Sequence, residues 1–131
     1  NVLFIATANS MNLSSALKAR MEIIEIPGYS IDDKVRIARE HLIARAARDT
    51  GWDMSNIIID DDAIRHLIRN YTSEDGVREL QRELTAILRR ALLENDGEDV
   101  RTEFTPAKID QLLSVRKAAG LSRRIGFGLR A

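Results

Sequence analysis

The sequence predicts a mainly α-helical fold with a short pair of parallel strands, preceded by a strand–helix–strand segment from the end of a larger α/β domain. Three observations indicate this fold class. Apolar residues recur at helical spacing through most of residues 30–115. Two short strand-like segments, the apolar 56–59 and the alternating 100–104, interrupt that spacing. Residues 2–6 form an unbroken apolar run, which is typical of strands covered on both faces.

The first segment, residues 1–28, contains two candidate strands separated by a short helix-like stretch. The run Val2-Leu3-Phe4-Ile5-Ala6 is followed by polar residues, and Glu22–Ile26 ends at Pro27-Gly28. A strand that is apolar on both faces needs neighbours on both sides, and this segment offers one at most. We therefore expect residues 1–28 to close an α/β domain whose other strands lie outside this sequence.

The second segment, residues 29–115, has the pattern of a helical domain. Ser30 is a typical N-cap, and Asp32 and Asp33 lie in the first turn, where the helix dipole favours acidic side chains. Gly51 is suited to end this helix. The apolar stripe between these ends consists of Ile31, Val35, Ala38, Leu42 and Ala46.

A short strand and two further helices are expected next. Residues 56–59 are predicted to form the strand, and Asp60 to cap the helix after it. Ser73 is expected to begin the longest helix, which ends at an acidic, glycine-containing loop over residues 94–99. The apolar faces of the two helices consist of Ile64, Leu67, Ile68 and Tyr71, and of Val77, Leu80, Leu84, Ile87, Leu88 and Ala91.

The last part of this segment supplies the second strand and the fourth helix. Residues 100–104 alternate between polar and apolar as a half-buried strand should. Thr105 followed by Pro106 indicates a helix start, because proline is favoured at the first helical position. The apolar residues of that helix are Ile109, Leu112 and Leu113. We therefore expect four helices and a two-stranded parallel pair.

The composition excludes several classes of function. The 131 residues include 20 basic and 20 acidic side chains, so bulk attraction to nucleic acid is not expected. The absence of cysteine excludes disulfides, thiolate metal sites and a cysteine nucleophile, and two histidines offer little basis for a zinc site. No apolar run approaches the roughly 20 residues of a membrane span, and no signal peptide is visible. We expect a cytoplasmic protein with no membrane partner and no metal site of its own.

The charge is unevenly distributed along the chain. Residues 1–115 hold 15 basic and 20 acidic side chains, whereas residues 116–131 hold five basic side chains and no acidic one. We interpret residues 116–131 as a basic tail or linker. This tail is also the main support for a non-enzymatic alternative, in which the chain is a DNA-binding or interaction module.

Asn9 and Arg20 are candidate functional residues in the first segment. Asn9 follows the first predicted strand, and ligands of open α/β sheets bind at the carboxyl ends of strands. Its amide could orient a phosphate or an attacking water, or bond to local backbone groups. Arg20 follows the helix-like stretch, where a cation complements the helix dipole. An arginine there could also reach a phosphoryl group on a neighbouring subunit.

Arg78 is the third candidate. It lies near the start of the longest predicted helix, one residue off the apolar stripe. Arg78 either contacts a ligand or is a surface arginine paired with an acidic neighbour such as Glu74. Gly76 lowers helix stability by about 1 kcal/mol relative to alanine, which favours close approach of another backbone or a ligand at this point.

Together, these segments resemble the AAA+ module of the Lon family of ATP-dependent proteases. The resemblance starts in Asn1–Ser10, continues through Leu17–Glu22 and Pro27-Gly28-Tyr29, and is strongest in Ile68–Leu80, which reads I-R-N-Y-T-S-E-D-G-V-R-E-L. It covers roughly residues 1–115. In order, these strings look like the family's sensor-1 strand, its arginine-finger segment and its sensor-2 helix.

The resemblance implies a domain division and a role for each candidate. Residues 1–28 would end the large α/β domain, residues 29–115 would form the small helical lid domain, and residues 116–131 would be the tail. Asn9 would be the sensor-1 residue near the γ-phosphate, and Arg20 the finger that reaches the nucleotide of the next subunit in a homohexamer. Arg78 would be the sensor-2 arginine.

The resemblance also implies an activity for a longer parent protein. That parent would be an ATP-dependent serine endopeptidase that uses ATP with Mg²⁺, unfolds protein substrates and degrades them for protein quality control. The present sequence contains no G-x-x-x-x-G-K-[ST] phosphate loop, no Walker-B acidic pair and no Ser–Lys protease domain. We therefore expect the chain by itself to be inactive, with no catalytic residue and no stably bound nucleotide. The alternative within the same superfamily is the lid domain of another AAA+ chaperone or remodeller.

Overall fold

Helices account for most of the regular structure in the computed structural model, which describes residues 2–8 and 12–114. The helices are α1 (Ser15–Lys18), α2 (Ile31–Ile37), α3 (Ile43–Thr50), α4 (Asp61–Tyr71), α5 (Arg78–Glu94) and α6 (106–114). The strands β1 (Ile57–Ile58) and β2 (Thr102–Glu103) pair in parallel, with Ile57 opposite Thr102 and Ile58 opposite Glu103. The predicted mainly helical fold with a short parallel pair is thus confirmed.

Three helix starts that were predicted from N-cap residues are present in the structure. The side-chain oxygens of Ser30, Asp60 and Thr105 each accept a hydrogen bond from the amide three residues further on, at 3.1, 2.8 and 3.1 Å. Each bond satisfies an amide that has no partner within the helix. Gly51 ends α3 with a φ of 87°, in the left-handed region that glycine tolerates.

Helices α2 and α3 form one continuous helix over residues 31–50, interrupted by a π-helical turn. The turn spans Ala38–Leu42, where the spacing of the hydrogen bonds widens by one residue. The side-chain amide of Gln81, from α5, donates through Nε2 to the Leu42 carbonyl inside this turn, at 3.4 Å. The apolar stripe predicted for this helix is buried from Val35 to Ala46, so the turn does not rotate the stripe out of the core.

Helix α5 begins at Arg78 rather than at Ser73, so this predicted boundary is wrong. Residues 73–77, called here the pre-α5 turn, are non-helical because carboxylates on each side of the helix start bind main-chain amides. The Leu80 amide donates to Glu74 Oε1 at 3.0 Å, and the Ser73 amide donates to Glu79 Oε2 at 2.7 Å. These two hydrogen bonds cap the start of α5 in place of a side chain at the N-cap position.

The core lies between α2–α3, α4, α5 and α6, where the predicted apolar stripes meet. Its largest fully buried side chains are Phe104, Ile64, Leu67, Leu80, Leu84, Ile87, Ile109 and Leu113. Trp52 packs edge-on against Phe104, with ring centroids 5.9 Å apart, and its Nε1 donates to the Leu88 carbonyl at 2.8 Å. Trp52 therefore joins the loop after α3 to α5 and to the residue that follows β2.

The two strands predicted within residues 1–28 are not formed in the described part of the chain. Residues 2–8 and 22–30 have no regular secondary structure, and only α1, capped by Ser14, is helical. The exposed fractions of Val2, Leu3, Phe4 and Ile5 range from 77% to 88%. A strand depends on hydrogen bonds from a neighbouring strand, and no described residue supplies them to these segments. Apolar composition alone therefore does not produce a strand here.

Candidate functional site at the start of helix α5

Arg78 is the first residue of α5 and its side chain is exposed. Within the described ranges, its guanidinium makes no hydrogen bond or ion pair. Glu74, the acidic neighbour that a surface arginine was expected to pair with, instead accepts the Leu80 amide. Because an arginine stays protonated at any physiological pH, the Arg78 side chain presents a positive charge to solvent.

The main chain around Arg78 reinforces this positive charge. The first amides of a helix have no partner within the helix, and the aligned peptide dipoles place partial positive charge at this end. In α5 the Leu80 amide is already bonded to the Glu74 carboxylate, so it is not available to a ligand. The guanidinium and the helix N-terminus therefore favour the same kind of ligand, an anion with several acceptor oxygens. A nucleotide phosphate satisfies that description.

The pre-α5 turn is held by residues from the start of the helical domain, about 40 residues earlier in the chain. Lys34, in the first half of α2, is only 6% exposed, and its ammonium donates to the Glu74 carbonyl. The Tyr29 amide donates to the Asp75 carbonyl at 2.9 Å. Sequence reasoning missed Lys34, because a lysine in an amphipathic helix is normally solvated and nothing local marks it as buried.

Gly28 lies so close to this turn that there is no room for a side chain. A Cβ placed on Gly28 would lie 2.8 Å from Asp75 Cβ, which is closer than real Cβ atoms approach. A Cβ placed on Gly76 would meet nothing within 4 Å in the part of the chain that the structure describes. The close approach expected at Gly76 is thus located at Gly28 instead, in the linker Pro27-Gly28-Tyr29.

The other two candidates are placed differently. Arg20 lies in the turn after α1, where its amide donates to the Leu17 carbonyl at 3.1 Å, and its side chain is exposed. No hydrogen bond or ion pair joins Arg20 to the pre-α5 turn among residues 12–114. Asn9 lies outside the described residues, as does the basic tail that the DNA-binding alternative rests on. The structure therefore places Gly28 and Lys34 against Glu74 and Asp75, in the turn that precedes Arg78.

A polar cluster of His66, Tyr71 and Asp110 links α4 to α6. Asp110 Oδ1 accepts a hydrogen bond from the Tyr71 hydroxyl at 2.6 Å and lies 2.8 Å from His66 Nε2. Burial raises the pKa of Tyr71 to about 12, and the bond to Asp110 adds to the shift because it favours the protonated phenol. These bonds join α4 to α6. Among the described residues, no group of three or more His, Cys, Asp or Glu could hold a metal ion.

No helix within the described ranges is long and apolar enough to cross a membrane.

Comparison with known proteins identifies the family. Residues 48–102, which run from the end of α3 to β2, match the family described as the Lon protease AAA+ ATPase lid domain. The chain is 39% identical over 119 residues to the Lon protease of Acinetobacter baumannii, 40% over 134 residues to that of Vibrio parahaemolyticus, and 51% over 92 residues to that of Rickettsia bellii.

These alignments cover most of this chain and a small part of each relative. They include 88%, 96% and 70% of the chain, and 15%, 17% and 12% of the respective Lon proteases. The matched region contains Arg78, the whole of α4, α5 and β1, and the first residue of β2. The chain therefore belongs to the Lon protease family and contains that family's AAA+ ATPase lid domain.

Proposed function

We propose that this chain is the nucleotide-sensing and lid portion of a Lon-type ATP-dependent serine protease that unfolds and degrades proteins. The observation that carries the proposal is Arg78. Its guanidinium has no partner within the described ranges, and it lies at the N-terminus of α5 within the residues that match the Lon lid domain. An unneutralised arginine at that position is suited to bind the phosphates of a nucleotide held between two domains.

In the longer protein, three residues of this chain would contact bound ATP. Arg78 would contact the nucleotide from the lid, Asn9 would orient the γ-phosphate or the attacking water, and Arg20 would reach the nucleotide of the neighbouring subunit of a homohexamer. ATP would bind with Mg²⁺, which neutralises charge on the phosphates. The contribution of these side chains is to position the phosphoryl group and to stabilise the charge that develops on it.

The lid would also convert hydrolysis into movement. Arg78 lies on the helical domain, whereas Asn9 and Arg20 lie before the linker Pro27-Gly28-Tyr29. A nucleotide bound by both sides favours one arrangement of the two domains, and loss of the γ-phosphate removes part of that preference. Repeated changes of this kind would drive an unfolded polypeptide toward the protease domain of the parent.

The chain by itself is expected to show neither ATPase nor peptidase activity. Its sequence has no phosphate loop to hold the β- and γ-phosphates, and no Ser–Lys protease domain. Robust turnover by the purified 131-residue chain would contradict the proposal.

The proposed role of Arg78 is tested by replacing it with alanine in the full-length protease that contains this chain. We expect ATP turnover to fall at least about tenfold, since an arginine that stabilises phosphoryl transfer contributes that much or more. Arg36→Ala is the matched control, because the Arg36 side chain is 66% exposed and, among the described residues, pairs with Asp33 alone. Unchanged turnover in Arg78→Ala, with the fold retained, would refute the sensor role.

A further inference from the structure

Lys34 is a buried lysine whose partner is a main-chain carbonyl. Its side chain is 6% exposed, and the ammonium donates to the Glu74 carbonyl in the pre-α5 turn. No ion pair joins Lys34 to a carboxylate anywhere in the described ranges. Burial of an ammonium group is costly unless it is hydrogen-bonded, so the carbonyl must stay within reach. Lys34 therefore restrains the position of the turn rather than neutralising a charge.

The same turn is held at its next residue by the linker. The Tyr29 amide donates to the Asp75 carbonyl at 2.9 Å, and Gly28 packs directly against the Asp75 side chain. Residues 28–34 thus contact Glu74 and Asp75 in three ways. The Lys34 ammonium binds the Glu74 carbonyl, the Tyr29 amide binds the Asp75 carbonyl, and Gly28 packs against Asp75. A displacement of the linker has to move the turn or break these contacts.

Glu74 connects these contacts to the helix itself. Its carbonyl accepts from Lys34, while its carboxylate accepts from the Leu80 amide in the first turn of α5 at 3.0 Å. Arg78 lies between the pre-α5 turn and Leu80. The main chain is therefore fixed on both sides of Arg78, and Lys34 is the residue that binds Glu74 itself from outside α5.

We propose that Lys34 is a positioning residue for Arg78, and that it couples the linker Pro27-Gly28-Tyr29 to the start of α5. Lys34 acts through the Glu74 carbonyl and does not contact the nucleotide. The structural part of this inference is independent of function, and its catalytic part rests on the sensor role proposed above for Arg78.

The structural part is tested with Lys34→Met in the 131-residue chain. Methionine keeps an unbranched apolar side chain in the core and removes the ammonium. The amides of Tyr29 and Leu80 are direct reporters, because both donate to the pre-α5 turn. We expect hydrogen exchange at both amides to become about tenfold faster, the change that corresponds to loss of one hydrogen bond to a charged group.

Arg36→Met is the control, since Arg36 lies on the same helix with its side chain 66% exposed. Exchange at Tyr29 and Leu80 should not change in this control. Unchanged exchange in Lys34→Met would overturn the inference. If Lys34→Met does not fold, Gly28→Ala disturbs the same turn from the linker and should accelerate exchange at Leu80, and failure to do so would overturn the coupling.

The catalytic part is tested with a double-mutant cycle in the full-length protease. ATP turnover is measured for Lys34→Met, Arg78→Ala and the double variant. Because Lys34 acts through Arg78, we expect Lys34→Met to slow ATP turnover and the double variant to be no slower than Arg78→Ala alone. Wild-type turnover in Lys34→Met would overturn the positioning role. Multiplicative losses would show that Lys34 acts independently and would overturn its positioning role. If Arg78→Ala alone has no effect, the sensor role is wrong, and the exchange experiment still decides whether Lys34 holds the turn.

Discussion

Alanine substitutions at Gly28 and Gly76 provide a matched test of the contact between the linker and the pre-α5 turn. The structure indicates that a Cβ at Gly28 would lie 2.8 Å from Asp75 Cβ and 3.2 Å from Asp75 Cα, whereas a Cβ at Gly76 would meet nothing within 4 Å among the described residues. Neither glycine has a positive φ, so neither position disfavours alanine through its backbone conformation. The two substitutions therefore differ in the contact alone.

The expected difference follows from three free-energy contributions. Each substitution restricts the unfolded chain and thereby stabilises the folded state by about 0.4–1 kcal/mol. Gly28→Ala must also relieve the clash, either by strain of about 1–3 kcal/mol or by releasing the linker. Release loses the bond between the Tyr29 amide and Asp75, worth about 0.5–1.5 kcal/mol, together with the packing around it. The cheaper route sets the cost, so we expect Gly28→Ala to be about 1–2 kcal/mol less stable than Gly76→Ala.

Thermal unfolding of the 131-residue chain measures this difference. For a domain of 60–100 residues, 1 kcal/mol shifts the Tm by about 4–8 °C. We therefore expect Gly76→Ala to melt at or above the wild-type temperature and Gly28→Ala to melt several degrees below Gly76→Ala. Equal Tm values for the two variants would show that the contact at Gly28 contributes nothing to the folded state. A Gly28→Ala variant more stable than Gly76→Ala would refute the reasoning outright.

Two further predictions concern the helical domain. Asp60→Ala should lower the free energy of unfolding in urea by about 1 kcal/mol because it removes the N-cap bond of α4, which is 2.8 Å long. Asp62→Ala, whose side chain is 86% exposed, should change it much less, and equal effects would contradict the capping role. Tyr71 should titrate near pH 12 by phenolate absorbance. Because the unfolded phenol ionises near pH 10 while the folded one stays protonated, stability should fall as the pH rises from about 10 to 12, and Tyr71→Phe should remove that component.

The helix starts were predictable because their causes are local. Ser30, Asp60 and Thr105 each bond to an amide three residues away, and a short side chain followed by an apolar stripe indicates such a bond from sequence alone. The start of α5 was not predictable in the same way. Its first turn is capped by Glu74 from outside the helix, and Glu74 is in turn bound by Lys34, which is distant in sequence.

The family resemblance located Arg78, but the sequence did not show what surrounds it. A surface arginine near Glu74 reads as an ion pair, and only the structure shows that the Glu74 carboxylate is used by the Leu80 amide. The contact of Gly28 with Asp75 joins residues far apart in the chain, so no local pattern indicates it.

The sequence by itself determined the mainly helical class, the parallel pair of short strands, the apolar stripes of the core and the membership in the Lon family. These properties follow from the spacing of apolar residues, from helix-capping residues and from short sequence motifs, all of which are local in the chain. Only the tertiary structure decided that residues 2–6 have no strand partner among the described residues, that α5 begins at Arg78, and that Lys34 and Gly28 hold the turn before it. Each of these depends on which distant groups come into contact, because hydrogen bonds and packing form between neighbours in space rather than in sequence.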